Sequence, residues 1–153
     1  VITLRAHAKY DKDAAVVLLT SGQHHAPFKK ELEKGEVFPV IEGTKTFLYV
    51  GLGPMDKLSL TDLRVSVRKA FTSCYLKKPK TIEIIPHRHD DASIIAIIEG
   101  VAIGSYVWDK YKTKDNHDKN IREKQVTIAA EPHKKYTDAI AVCQGVKLTR
   151  DLV

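Results

Sequence analysis

At 153 residues the chain has the size of one domain and enough length to bury a core of its own. Its hydrophobic fraction of 43% and charged fraction of 29% are those of a soluble globular protein, and no apolar run is long enough to span a bilayer; the nearest, Ile94 to Val107, is interrupted by Glu99. The net charge of +6 permits a polyanionic partner without requiring one, because lysines commonly decorate a solvated surface.

The mixed opening Val1-Ile-Thr-Leu-Arg-Ala-His-Ala8 has no secretory-signal character and no initiator methionine. Val1 to Ala8 and Ala14 to Thr20 are aliphatic, β-branched runs around the polar turn 10–13 and are expected to be strands. Pro27 near the start and Gly35 just past the end mark a short helix over Pro27 to Lys34. The runs 36–40 and 46–50 flank Glu42-Gly43-Thr44 as a hairpin, and Pro39 sends its first strand to a sheet edge. A regular βα pattern then begins. The strand Thr46 to Leu52 ends in Gly51-Leu-Gly53-Pro54, and Ser59 caps a helix to about Leu76 whose buried stripe is Leu60, Leu63, Val67, Ala70, Phe71 and Cys74.

A strand Thr81 to Ile85 leads to a helix from about Asp91 to Tyr106, with Asp90 and Asp91 at its positive end. Ile94, Ile95, Ile97, Ile98, Val101 and Ile103 surround that helix and predict its burial. A charged loop over 109–120 precedes a strand Lys124 to Ala130. The final helix, about 135–153, places Ile140, Cys143, Val146 (or Lys147) and Leu148 on one face, with no stop signal after Leu152. The sum predicts an α/β fold: one mixed, mainly parallel sheet with right-handed crossovers and helices on both faces. The chain reads as one domain over 1–153, truncated in or after its last helix. Cys74 and Cys143 match no metal-ligand spacing and read as buried, reduced thiols suited to the cytoplasm.

Three segments are candidates for chemistry. His87-Arg-His89-Asp90-Asp91 follows a strand and can offer two imidazoles and a carboxylate to a metal, yet Ala92 stands where the similar element of binuclear metallohydrolases has a further His. A polar, helix-capping turn is the simpler reading. Gly51-Leu-Gly53 can cradle a phosphate, but it lacks a third glycine or a Gly-Lys-Ser/Thr, and Pro54 removes an amide, so a packing turn is favoured. Lys110, Lys112, Lys114, Lys119, Arg122 and Lys124 lie near Trp108 and Tyr111 and suit a nucleic-acid backbone, although Asp109, Asp115, Asp118 and Glu123 dilute the field. Ser73-Cys74 lacks a nucleophile elbow, His24-His25 is a loose pair, and His7, His117 and His133 are surface residues. On these residues alone there is no convincing catalytic, cofactor or metal site.

Taken together, Val50-Gly-Leu-Gly53, the run Glu99-Gly-Val-Ala-Ile-Gly-Ser-Tyr-Val-Trp-Asp-Lys-Tyr-Lys112 and the closing Ala139 to Val153 with Arg150-Asp-Leu152 resemble the N-terminal domain of the cytosolic leucyl aminopeptidases. The likeness spans most of the chain from about Thr46, with Trp108 in place of the usual Phe. Gly100 and Gly104, one helical turn apart, let a neighbouring element approach closely, while Tyr106, Trp108 and Tyr111 anchor the helix exit. The resemblance implies a macro-domain-like fold and a non-catalytic role in hexamer assembly, with DNA contact in some members. It implies a cytoplasmic parent exopeptidase that uses two divalent metals, zinc or manganese, held in a C-terminal domain, so no site residue is carried onto this chain. Two alternatives stay open: a nucleotide or other phosphorylated ligand near Gly51 to Gly53, and polyanion contact through Lys110 to Lys124.

Overall fold

The computed structural model describes residues 1–25, 30–106 and 124–152. Six strands form one sheet: β1 (Ile2–Arg5), β2 (Ala14–Thr20), β3 (Val37–Glu42), β4 (Lys45–Gly53), β5 (Thr81–Ile85) and β6 (Gln125–Ala129). Their order is β1-β6-β5-β2-β4-β3. Every neighbouring pair is parallel except β3 and β4, which form the expected hairpin with Glu42 opposite Lys45. Gly43 takes a φ of 62° in the two-residue turn, a conformation that tight hairpins demand. Pro39 lies on β3, the edge strand, where its missing N–H costs no ladder bond toward a further neighbour.

Among the described residues three helices follow the βα pattern: α1 (Leu60–Thr72), α2 (Asp91–Gly104) and α3 (Lys134–Leu152). Ser59 caps α1 as expected, accepting from the Asp62 amide while the Asp62 carboxylate accepts from the Ser59 amide. Asp90 caps α2 through the Ser93 amide. Strand periodicity sorts the core into two layers. Ala14, Val16 and Leu18 of β2, Leu48, Val50 and Leu52 of β4, and Ile82 and Ile84 of β5 face α1, α2 and α3 in one large cluster. The opposite face holds a smaller cluster of Val17, Leu19, Tyr49 and Leu32, the last from the segment before β3. Helical cover is therefore seen on one face, and among the described residues the other face is covered by that irregular segment.

Several sequence expectations shift. The first strand ends at Arg5, short of Ala8. The predicted helix Pro27 to Lys34 falls partly outside the described residues, and residues 30–34 are not helical. α1 ends at Thr72 because Ser73 turns extended, with φ −68° and ψ 153°. A 3-10 turn, Cys74–Leu76, follows, and the change of phase exposes Cys74 while burying Leu76. Leu60, in the first turn of α1, is 42% exposed and lies outside the stripe it was expected to join. α2 stops at Gly104, two residues before Tyr106, and Ile103 points to solvent. Cys143 is half-buried. The charged loop 109–120 and His117 lie outside the described residues.

The expected close approach at the two helical glycines is met by α1. A Cβ on Gly100 would lie 2.9 Å from Val67 Cβ, and one on Gly104 would lie 2.8 Å from Phe71 Cβ. The apolar stripe of α3 is used only at its start. Tyr136 and Ile140 are buried and Cys143 partly so, whereas Val146 and Leu148 are exposed.

Candidate functional site

The carboxyl ends of the parallel strands, where an open α/β sheet ordinarily places a ligand, bring together the turns after β2, β4 and β5. Gln23 ties two of them: its Oε1 accepts from the Thr20 amide and its Nε2 donates to the His87 carbonyl. Gly51 serves packing. Its amide donates to Glu36 O at 2.8 Å, its carbonyl accepts from Gly35 N at 2.9 Å, and a Cβ there would strike Glu33 O at 2.1 Å. Gly53 adopts a φ of 77° and accepts from the Ser21 amide. The glycine turn thus spends backbone groups on the neighbouring segments, as the packing-turn reading expects.

The five-residue turn after β5 does not converge on a metal. His87 is buried, His89 is exposed, and the two Asp carboxylates face elsewhere. Asp90 caps α2 and pairs with Arg88. Burial pushes its carboxyl up, but the Ser93 hydrogen bonds and Arg88 more than offset this and hold it below its ordinary value. Asp91 joins α2 to α3, accepting from Lys135 Nζ at 2.6 Å and Tyr136 Oη at 2.8 Å. Those partners, Lys135 first, lower Asp91, while burial and the Asp91 bond push the Tyr136 phenol up to about 12. Burial lowers the His87 imidazole, with Asp90 acting in opposition, and His87 Nδ1 has no hydrogen-bond partner among the described residues. No group of three or more His, Cys, Asp or Glu that could hold a metal ion occurs among the described residues. These residues do not fit the metal pair that the resemblance implies.

The remaining candidates separate. Ser73 Oγ donates to Ala70 O, and Cys74 is a free, exposed thiol. His24 is exposed, but its neighbour His25 sits between two phenols, with Nε2 2.8 Å from Tyr10 Oη and Nδ1 3.3 Å from Tyr49 Oη. Burial lowers the His25 imidazole. His133 receives the Lys135 amide on Nδ1 and its carbonyl takes the Tyr136 and Thr137 amides, so it starts α3. His7 is exposed. Of the basic loop only Lys124 is described, and it is buried.

Sequence reasoning missed Glu83, fully buried in β5. Its carboxylate accepts from Arg5, from the Lys9 amide at 3.1 Å and from the Tyr10 amide at 2.7 Å. Arg5 also grips Asp11 with both terminal nitrogens. This network pins the 6–13 segment to the sheet. A lone carboxylate inside Thr-Ile-Glu-Ile-Ile was the available signal, because buried charges persist only when paired.

A groove of about 470 Å³ lies where α1, α2 and α3 meet, walled by Ile103, Tyr106, Val142 and Val146 and rimmed by Arg64, Lys147 and Arg150. Arg64 Nε pairs with Glu99, and the Arg150 guanidinium stands 5.2 Å over the Tyr106 ring. Cys143 lies in the groove, its thiol pushed up by burial and by Glu99. No helix of the described residues is long and apolar enough to cross a membrane.

Compared with known proteins, residues 3–115 match the model of the cytosol aminopeptidase family, N-terminal domain. A probable cytosol aminopeptidase of Protochlamydia amoebophila (strain UWE25) is 34% identical over 131 residues, covering 73% of this chain and 26% of that protein. Another, from Geobacter sp. (strain M21), is 32% identical over 115 residues, covering 69% and 23%. Among solved structures, the bottromycin maturation enzyme BotP in complex with Mn superposes with a TM-score of 0.72 at 19% identity, over 92% of this chain and 31% of that one. A mutant of tomato leucine aminopeptidase superposes with a TM-score of 0.70 at 18% identity, over 99% and 37%. At such identities the likeness to solved structures speaks for the fold. The chain spans about a quarter of the length of the curated relatives it matches.

Proposed function

The chain belongs to the cytosol aminopeptidase family as its N-terminal domain, and from that premise we propose that it is a non-catalytic, assembly-supporting domain of a cytoplasmic, metal-dependent aminopeptidase. In this reading residues 1–153 form one unit. The residues that hold two divalent metals, zinc or manganese, and cleave the N-terminal peptide bond lie in a C-terminal domain beyond them. The carrying observation is the family match over residues 3–115 in a chain that spans only about a quarter of its relatives. The use of the candidate residues agrees with it. Asp90 and Asp91 fasten α2 and α3, Gly51 admits the 33–36 segment, and Glu83 holds the 6–13 segment.

The partners of this domain are its own catalytic domain and, through the assembled enzyme, like subunits in a hexamer. The test is direct. With leucine p-nitroanilide and added manganese or zinc, the 153-residue chain gives no turnover, whereas a polypeptide that continues into the catalytic domain hydrolyses the substrate. Turnover by the short chain above the metal-only background refutes the proposal.

A further inference from the structure

The groove between α1, α2 and α3 has a shape, a charge and a position that specify an occupant. Its floor is apolar: Val142 is 66% exposed, Val146 49% and Ile103 41%. Isolated exposed aliphatics are ordinary, but these three line one concavity. They lie on facing helices, α2 and α3, at a point where the two helices no longer bury one another. Beyond Cys143 every residue of α3 through Leu152 is exposed, so residues 144–152, about 13 Å of helix, add no buried side chain to the core. A stretch that short gains little from intrinsic helix propensity and is held in proteins by packing of a face. Described along it are Arg150 over Tyr106 and the electrostatic approach of Lys147 to the Val1 ammonium.

The rim is basic. Arg64, Lys147 and Arg150 stand against one carboxylate, Glu99, which Arg64 already engages. Among the described residues neither Lys147 nor Arg150 has a carboxylate within ion-pair distance. The curated relatives are longer by roughly two further lengths of this chain, and in the role proposed above the end of α3 leads toward that remainder.

We infer that this groove is the seat of a segment of the catalytic domain that bears an apolar side chain flanked by a carboxylate, the first filling the space between Ile103, Val142 and Val146 and the second meeting Lys147 and Arg150. This occupant presupposes the N-terminal-domain role proposed above. The groove then fixes how the two domains are oriented, because a pocket at the base of the connecting helix prevents that helix from acting as a free hinge.

The experiment places a thiol in the groove with Val146→Cys, removes the neighbouring thiol with Cys143→Ser, and keeps exposed Cys74 as an internal reference. Maleimide labelling is followed in the 153-residue chain and in the full-length polypeptide. The expected result is labelling at position 146 about tenfold slower in the full-length polypeptide, as protection governed by interdomain opening requires, with Cys74 equally reactive in both. Equal rates at 146 overturn the inference, as does protection already present in the short chain, since its own residues would then fill the groove. Lys147→Glu with Arg150→Glu in the full-length polypeptide is expected to restore fast labelling at 146; undiminished protection refutes the acidic occupant. A gene with no catalytic domain downstream refutes the role proposed above, a failure separate from a catalytic domain that is present but leaves position 146 open.

Discussion

One substitution, glycine to alanine, should change sign between two helices of this protein. Gly145 lies inside α3 with nothing within 4 Å of a built Cβ. Alanine there gains the full difference in helix propensity, about 1 kcal/mol, and should raise the melting temperature by about 3 °C in a chain of this size. Gly100 has the same intrinsic gain available, but its Cβ would lie 2.9 Å from Val67 Cβ and 3.0 Å from the Arg64 carbonyl. Carbon atoms in contact normally stand about 3.5–4.0 Å apart, so α1 and α2 must separate by roughly 1 Å.

Overpacking of that kind costs about 1–3 kcal/mol. After the propensity gain, Gly100→Ala should destabilise by about 1 kcal/mol. Gly104→Ala meets Phe71 Cβ at 2.8 Å and the Arg68 Cα at 3.2 Å and should behave alike. The double variant should cost less than the sum, because one helix displacement relieves both clashes. Urea unfolding of the 153-residue chain reads these effects as midpoint shifts at constant slope. A Gly100→Ala variant stabilised as much as Gly145→Ala would refute the claim that these glycines set the spacing of α1 and α2.

Three further outcomes follow from the same geometry. Glu83→Ala strips the acceptor from Arg5 and from the Lys9 and Tyr10 amides and should cost about 3 kcal/mol, the low end for a broken buried pair because Arg5 keeps some solvent contact; hydrogen exchange at those two amides should accelerate, and unchanged exchange contradicts the pinning role. Burial lowers the His87 imidazole, so the folded state binds fewer protons there than the unfolded one, and stability present above the ordinary histidine value near 6.5 falls as pH drops below it. His87→Gln should flatten that acid-side slope in urea titrations, and an unaltered slope counts against it. Cys74 should react with a thiol reagent well before Cys143, whose thiol burial pushes up; the reverse order in peptide mapping would contradict the described exposures.

Elements with redundant signals were legible in the sequence. Ser59 and Asp62 wrote the start of α1 twice, in a cap and a reciprocal acid, and Pro39 correctly sent β3 to the edge. The Gly100 and Gly104 pair announced a close neighbour without saying which, because helix pairing is a tertiary fact. The end of α1 was misplaced since Leu76 continues an apolar spacing. Its burial comes from a 3-10 turn, not from the helix, and no residue between Thr72 and Cys74 carries a breaker signal. His25 reads in the sequence as half of a loose pair with His24 because its partners, Tyr10 and Tyr49, approach from a turn and a strand 15 and 24 residues away. The α3 groove was hidden for the same reason: periodicity shows that an apolar face exists, and only the packed helices show which half of it is left uncovered.

The sheet joins its outermost parallel strand to the last one made, pairing Ile2 with Val126. A chain emerging from the ribosome can form the β3–β4 hairpin early, but β1 must wait for more than a hundred residues before its partner exists. During that interval Ile2 and Leu4 are an unprotected strand, the kind of edge that recruits foreign chains. Such long-range closure makes the docking of β1 slow by topology, and loss of the β6 region would leave β1 without its partner strand. Synthesis order thus leaves β1, made before the other described strands, among the last of them to be secured.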